Sequence, residues 1–188
     1  MKGDKAKMKI KVNSDVSIND INKYLYPVKK YVQEKVDNNM YDDWNELEHT
    51  TKWIEKILKS ICENRGDVLE IYYLKDDEKI IGVIFCLSGS NNLREFLQKN
   101  DIEQTDGKVA QLSCFHILKA YRGIGKKWLQ DEVLKDLKEQ GFEKVYIKSS
   151  HNKASSLYDK LGTIIGNYIS ISDNKLYKRY GNIYRIDL

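Results

Sequence analysis

A central stretch of this chain changes its hydrophobic pattern from strand to helix, back to strand and again to helix. Residues 109–118 alternate between apolar and polar side chains, which is typical of a strand with one buried face. Residues 124–140 have the period of an amphipathic helix that ends at Gly141, and residues 145–149 and 153–161 repeat this order. Two strands joined through a helix lie parallel in one sheet. The stretch therefore predicts a mixed α/β fold with a parallel pair of strands.

The flanking patterns add strands and helices to this unit. Residues 8–12 predict a short strand, Ser17 begins a helix that Pro27 interrupts, and another helix follows Tyr41. Later elements are strands at 68–74, 80–87, 164–172 and 176–186 and a short helix at 93–97. We expect one mixed sheet in a single domain of residues 1–188, with residues 1–7 disordered.

Composition and charge argue against several classes of protein. The chain has 188 residues, 41% hydrophobic and 32% charged, a balance typical of a globular domain. Its 32 basic and 28 acidic residues leave a net charge of only +4, so we expect no nucleic acid as a partner. No apolar run approaches the ~18 residues that span a bilayer, and the charged beginning lacks the apolar core of a signal peptide. We expect no membrane partner. Three widely spaced cysteines fit a reducing, cytoplasmic location, and the absence of a Cys-x-x-Cys pair or clustered histidines predicts no metal site.

A glycine-containing turn joins the first strand of the parallel pair to its helix. It reads KAYRGIGKK from Lys119 to Lys127. Gly123 and Gly125 let the backbone approach a ligand closely, and free N–H groups at a helix start attract anions. Lys126 and its neighbour add positive charge. A side chain at position 125 is expected to block the approach of an anion to the backbone. A glycine-containing turn that binds no ligand is the alternative interpretation of this sequence.

One strand later the sequence reads HNKASSLYDKLG from His151 to Gly162. An Asn followed by Ala-x-x-Leu-Tyr-x-Lys-x-Gly, placed after an Arg-Gly-x-Gly turn, resembles the coenzyme A-binding core of GNAT-type N-acetyltransferases. The resemblance is specific over residues 109–168 and looser before residue 68. It implies a mixed, largely antiparallel sheet of six to seven strands, flanked by about four helices. Its central parallel pair would splay apart to admit acetyl-CoA.

The resemblance assigns a role to each matching position. Ile117, at the strand end, would bond the pantetheine arm through its backbone, and Asn152 would contact the same arm. Tyr158 would lie near the sulfur and protonate the departing thiolate. The turn would cradle the pyrophosphate with Arg122, Gly123, Ile124, Gly125, Lys126 and Lys127. The implied reaction is direct attack of a small-molecule or peptide amine on the thioester, with both reactants held in place.

Two positions in the cofactor motifs depart from the family pattern. With Arg122 in register, Lys127 stands where the family has a final Gly or Ala, and an alternative register puts Ala120 at the Arg position. Asn152 precedes the motif alanine by two residues rather than three, and His151 holds the three-residue position. Either shift would alter the geometry of a loop without abolishing binding of coenzyme A.

A third departure concerns the base. Gln111 stands where many relatives have a glutamate, and an amide cannot take the proton of the amine. His116 through a water, a carboxylate of the early helices, or bulk water are the alternatives. Alternation along the strand places His116 on the face opposite Gln111 and Ile117, and a packed or surface histidine fits this position as well. Cys114 has the wrong face for a nucleophile near Ile117, which argues against a thiol intermediate.

The sequence leaves the acceptor open among polyamines, amino acids, antibiotics and protein N-termini. Aromatic residues in the regions that form the acceptor site in this fold either wall a cleft for a cationic amine or pack between strands. They are Tyr24, Tyr31, Tyr41, Trp44, Tyr168, Tyr177, Tyr180 and Tyr184. The alternative to an enzyme is a non-catalytic acyl-CoA-binding regulator on the same fold, which Gln111 favours. A homodimer is also left open.

Overall fold

The computed structural model describes residues 6–40, 43–89, 91–104 and 106–188 of the chain. These residues contain a seven-stranded sheet in the order β1-β2-β3-β4-β5-β7-β6. The strands are β1 (Ala6–Lys11), β2 (Asp67–Asp76), β3 (Lys79–Gly89), β4 (Val109–Ile117), β5 (Lys144–Ser149), β6 (Thr163–Ile171) and β7 (Lys178–Asp187). Neighbouring strands are antiparallel except β4 and β5, which are parallel. The predicted fold class is confirmed.

Helices cover both faces of this sheet. They are α1 (Ile18–Ile21), α2 (Tyr26–Asp37), α3 (Glu46–Cys62), α4 (Asn92–Lys99), α5 (Gly125–Trp128), α6 (Lys135–Glu139) and α7 (Asn152–Tyr158). A π-helical segment, Leu129–Leu134, joins α5 to α6, so residues 125–139 form one continuous helix. Ser17 and Asp20 cap α1 reciprocally. Pro27 lies in the first turn of α2, where its missing N–H costs no helical bond.

Two apolar cores lie on opposite faces of the sheet. In the first core, the helix of residues 125–139 and α7 cover the sheet with Trp128, Leu129, Val133, Leu137 and Tyr158. In the second core, α1 to α3 and the segment between α1 and α2 contribute Ile21, Leu25, Val28, Ile54 and Ile57. Burial of a side chain of this size stabilises the fold by roughly 1.5–3 kcal/mol. The sheet is therefore held between two helical layers.

The first strand begins earlier than predicted. β1 includes Ala6 and Lys7, which we expected to be disordered. The reason is that β2 continues beyond its predicted end to Asp76, so that Ala6 pairs with Lys75 and Lys7 with Leu74. Residues 1–5 lie outside the described residues.

β4 contains one more residue than the segment of β3 that it pairs with. Ser113 pairs with Phe85 and His116 with Val83, so two residues of β4 stand opposite one residue of β3. Cys114 lies in this bulge, with a φ of 56°. A bulge of this kind interrupts the alternation of side chains along a strand.

After the bulge, odd-numbered and even-numbered residues of β4 lie on the opposite sides of the sheet from those they occupy before it. Beyond it, Phe115 and Ile117 pack against the first core, whereas His116 contacts the ring of Tyr31 in α2 on the other side. His116 therefore shares a face with Gln111, which precedes the bulge. The predicted placement of His116 opposite Gln111 is wrong, because it assumed a regular strand.

Candidate active site

A cleft opens between β4 and β5 where their pairing ends. The parallel pairing runs from Val109 with Lys144 to Leu112 with Ile147 and stops just before the bulge. The cleft has a volume of about 270 Å³. Its wall includes residues 112–116 of β4, residues 147–151 at the end of β5, and side chains of α3, α7, β6 and β7. The strand separation implied by the resemblance is thus present.

The glycine turn follows β4 directly. A 3₁₀ segment, Lys119–Tyr121, leads to Gly123. The backbone φ angle of Gly123 is 100°, which residues other than glycine rarely adopt. Gly125 then begins α5. The sequence folds locally in this way because the two glycines allow a sharp change of direction between strand and helix.

The amides of this turn are available to a ligand. The first hydrogen bond of the helix joins the Trp128 N–H to the Ile124 carbonyl at 3.0 Å. Within the described ranges, the N–H groups of residues 123–127 donate to no protein acceptor. Consecutive free amides at a helix start form a cradle for a phosphate group. Exposed cations surround them: Arg122, Lys126 and Lys127.

The two glycines of the turn have different surroundings. A Cβ atom at Gly125 would lie 2.8 Å from Ile117 Cδ1 and 3.0 Å from Phe115 Cζ, so this glycine packs against β4. A Cβ atom at Gly123 would meet nothing within 4 Å. A side chain at Gly125 therefore disturbs the packing of the strand end as well as any ligand, which the sequence did not predict. Gly123 is the better position for testing the turn.

Ile117 is the last residue of β4, and the turn packs against it. Because pairing with β5 ends at Leu112, residues 113–116 border the cleft instead of a neighbouring strand, and Ile117 follows directly after them. An extended ligand arm could bond to this strand edge as a strand does. Asn152 begins α7, and its side chain lies outside the described part of the structure. The cofactor roles of Ile117 and Asn152 stay predictions.

Tyr158 lies in the wall of the cleft. Its side chain is 5% exposed, and its ring centroid is 5.4 Å from that of Tyr184. Burial raises the pKa of the Tyr158 hydroxyl well above its usual value. The hydroxyl thus keeps its proton at neutral pH and is able to donate it to a developing anion.

Two histidines line the cleft, and both lie near the ring of Tyr31. The ring centroid of Tyr31 is 5.2 Å from that of His116 and 6.2 Å from that of His151. Burial, followed by the proximity of His151, lowers the pKa of His116 to about 4, and burial also lowers the pKa of His151. Both imidazoles are therefore neutral at pH 7 and each keeps one unprotonated nitrogen, while the same burial makes them weaker bases than a free imidazole. Sequence analysis identified His151 only through its position in the cofactor motif. No local pattern in the sequence indicates that His151 and His116 lie close together.

The remaining candidates on β4 are less suited to catalysis. Gln111 donates a hydrogen bond to Ser113 Oγ at 3.2 Å, is buried, and does not line the cleft. Cys114 does line the cleft, on the face opposite Ile117 as predicted. Its Sγ lies 3.3 Å from Thr50 Oγ1, and burial raises its pKa to about 11. A protonated thiol at neutral pH is a poor nucleophile.

The carboxylate that α3 brings to the cleft is Glu46. Lys35 Nζ lies 3.1 Å and 2.9 Å from its two oxygens, and Arg179 Nη1 is 3.6 Å from one of them. The ammonium group of Lys35 therefore engages both oxygens of Glu46 in an ion pair within the protein. Arg179 also stacks on Trp44, with the guanidinium carbon 3.8 Å from the ring centroid. No sequence motif marks Arg179, which reaches the cleft only because β7 lies beside β5.

Two kinds of site are not found in the described part of the chain. No group of three or more His, Cys, Asp and Glu side chains is placed to hold a metal ion there. No helix there is both long and apolar enough to cross a bilayer.

The sequence and the fold were compared with those of known proteins. The model of the acetyltransferase (GNAT) family matches residues 33–163. No curated protein matches the sequence. The fold is similar to that of an N-acetyltransferase from Staphylococcus aureus Mu50, with 14% identity, 97% of this chain and 98% of that chain covered, and a TM-score of 0.55.

Two further solved structures have the same fold. Arabidopsis thaliana NAA60, in complex with acetyl-CoA, is 13% identical over 97% of this chain and 99% of that chain, with a TM-score of 0.52. The ribosomal-protein-alanine N-acetyltransferase from Brucella melitensis is 14% identical over 95% of this chain and 99% of that chain, also with a TM-score of 0.52. At these low sequence identities, the structural similarity establishes only the fold. The family is established by the family model, which covers more than half of the chain. This protein belongs to the GNAT acetyltransferase family.

Proposed function

We propose that this protein is an acetyl-CoA-dependent N-acetyltransferase that moves an acetyl group onto a primary amine by direct attack in a ternary complex. The observation that carries the proposal is the cleft between β4 and β5. Its wall contains a strand edge that is not paired with β5 and the buried side chain of Tyr158, and the glycine turn with its unbonded amides follows the same strand, β4. The similar Arabidopsis protein was solved with acetyl-CoA, which supports the choice of donor.

In this proposal, successive parts of acetyl-CoA lie along β4 and the glycine turn that follows it. The amides of residues 123–127 and the cations around them would hold the pyrophosphate. The edge of residues 113–117 would bond the pantetheine arm, and a backbone N–H near Ile117 would polarise the carbonyl oxygen. Acetyl-CoA supplies the thioester that the amine attacks. Holding both reactants in one cleft makes the encounter effectively intramolecular.

Proton transfer is assigned to three side chains of the cleft. Neutral His116 would accept the proton of the attacking amine, directly or through a water, and His151, which also lies near Tyr31, is a second acceptor. Tyr158 would donate its proton to the sulfur of the leaving thiolate. The assignment gives Gln111 no chemical role, which agrees with its place outside the cleft wall.

The alternative is a regulator that binds acyl-CoA without turnover. Gln111 in place of the usual glutamate favours it, and the neutral histidines in the cleft oppose it. Release of free thiol from acetyl-CoA in the presence of amines distinguishes the two. An enzyme releases thiol with at least one amine, whereas binding without thiol release from any amine would leave the regulator.

Binding of the donor should stabilise the fold. Acetyl-CoA at about 100 times its dissociation constant is expected to raise the free energy of unfolding by roughly 2.7 kcal/mol, because it binds the folded state alone. Thermal unfolding with and without acetyl-CoA measures this, with sodium sulfate at the same ionic strength as a control for a simple anion effect. A folded sample that shows no shift in millimolar acetyl-CoA would contradict the proposal.

A pair of glycine variants tests the turn. Gly123 and Gly141 both have positive φ, of 100° and 81°, and both have open space around an added Cβ. Alanine at either position should cost roughly 1–3 kcal/mol of stability through backbone strain. Only Gly123→Ala is expected to weaken acetyl-CoA binding, about 10-fold, because Gly141 lies at the other end of the helix. Equal affinities of the two variants, measured by calorimetry, would place the pyrophosphate elsewhere.

Several finer expectations stay predictions. A single domain over residues 1–188 and a homodimer are among them. We also propose the cytoplasm as the location, which is supported by the exposed free thiol of Cys62, since such a group persists in a reducing compartment.

A further inference from the structure

The aromatic side chains of the cleft already contact cations of the chain itself. Arg179 stacks on Trp44 at 3.8 Å, and Lys148 Nζ lies 4.0 Å from the ring centroid of Tyr168. All four residues line the cleft. A cage of aromatic faces for a cationic amine, which the sequence suggested, is therefore occupied by the protein's own positive charges.

Lys148 brings a charge that no carboxylate balances. Its Nζ donates to Asn100 Oδ1, a neutral group, at 3.2 Å. In the parts of the chain that the structure describes, it forms no ion pair. The Lys148 side chain is exposed to solvent, and its partial burial lowers the pKa of its ammonium group. An anionic group of a ligand in the cleft would be able to pair with this charge.

The cleft offers little to a second ammonium group. Among the described residues, Glu46 is the one carboxylate in its wall, and Lys35 engages both of its oxygens. Asp173, nearby on the loop before β7, bonds His49 at 2.7 Å and does not line the cleft. A polycation would meet Lys148 and Arg179 without an available carboxylate, so its binding is disfavoured.

We propose that the acceptor is an amine that also carries a carboxylate, of the amino-acid class, and that Lys148 and Arg179 bind this carboxylate. The inference rests on the proposed acetyl transfer and narrows its substrate. Arg suits a carboxylate because its planar fork can donate two parallel hydrogen bonds, and Trp44 holds the guanidinium plane in place. The amine of such a molecule would point toward His116 and Tyr158, which line the same cleft.

The test measures binding without turnover. The protein is saturated with free coenzyme A, which has no acetyl group to transfer, and is titrated with the standard amino acids, their carboxamides and spermidine by calorimetry. The best amino acid is expected to bind at least ~10-fold more tightly than its carboxamide, the usual scale of a charge-assisted hydrogen bond. Lys148→Gln and Arg179→Gln should each reduce this preference several-fold.

Two matched variants serve as controls. Lys144→Gln removes a lysine from the same strand, β5, outside the cleft wall, and Arg185→Gln removes an arginine of β7 that pairs with Asp187. Both should keep the preference for the acid. Carboxamides that bind as tightly as acids, spermidine that binds more tightly than every acid, or no binding of any acid would each overturn the inference.

Thiol release with the same panel separates this inference from the proposed function. Amino acids that bind preferentially and release thiol support both. Preferential binding without any thiol release keeps the carboxylate site and removes the acetyl transfer. Thiol release with amines that show no preference for a carboxylate keeps the transfer and overturns the inference.

Discussion

Replacement of Tyr158 by phenylalanine is expected to lower turnover about 100-fold or more while the affinity for acetyl-CoA changes little. The change removes only the hydroxyl, and the ring keeps its packing against Tyr184 in the first core. Loss of a general acid typically costs 10²–10⁴-fold in rate, roughly. Steady-state thiol release with the best amine and calorimetry with acetyl-CoA measure the two quantities.

Tyr184 provides the matched control for this experiment. Its hydroxyl donates to Asp159 Oδ1 at 3.0 Å, and Tyr184 does not line the cleft. The same hydroxyl accepts a hydrogen bond from Asn182 Nδ2 at 3.1 Å. Tyr184→Phe should cost about 1–2 kcal/mol of stability through the two lost hydrogen bonds and leave turnover nearly unchanged. If Tyr158→Phe retained full turnover, the thiolate would be protonated by another group or by solvent, and the assignment of Tyr158 would be withdrawn.

Replacement of His116 by glutamine is expected to reduce turnover by a similar factor, about 100-fold. Glutamine keeps the polarity and approximate size but cannot accept a proton. The parent enzyme should show no loss of kcat/KM from the titration of His116 between pH 7 and 5, because its pKa is about 4. Gln111→Ala, on the same face of β4 but outside the cleft wall, should reduce turnover much less.

The pH dependence of stability gives an independent measurement on His116. Its folded-state pKa of about 4 lies below its unfolded value of 6.5, so the unfolded state binds more protons at acidic pH. The neutral histidine therefore contributes stability above pH 6.5, and that contribution is lost as the pH falls through 6.5 toward 4. His116→Gln should unfold with a weaker pH dependence in this window. If His116→Gln changed neither turnover nor the pH dependence of unfolding, His116 would have neither a catalytic role nor a lowered pKa.

The elements of this fold were predictable where the pattern in the sequence is local. The glycine turn could be recognised because its letters, the preceding strand and the following helix all lie within one continuous stretch. The helix of residues 125–139 and the apolar face of α3 followed from the period of their side chains. The family motif predicted that Tyr158 lies near the sulfur of the cofactor; the structure places Tyr158 in the cleft wall, and its catalytic role stays a prediction.

The parts that sequence analysis missed depend on contacts between distant segments. The sequence of residues 109–118 alternates like that of a regular strand, so it gives no sign of the bulge at Cys114. The change in which side of the sheet the later side chains face could therefore not be predicted. Arg179 and Lys148 come from separate strands, β7 and β5, and line the same cleft only because the chain folds these distant segments into one sheet. The close packing of Gly125 on Phe115 and Ile117 likewise appears only when the turn is folded against β4.

The pairing of β4 with β5 ends at Leu112 and Ile147, directly before the bulge that β4 forms against β3. We expect the extra backbone residue, rather than any side chain, to set where this pairing stops, so that substitutions in the cleft wall alter what is bound or how a proton moves without closing the opening. Deletion of a single residue next to Cys114 is expected to restore one-to-one pairing with β3 and to narrow the opening. In evolutionary terms, the choice of acceptor is free to change by point substitution, while the entrance for the donor is protected from it.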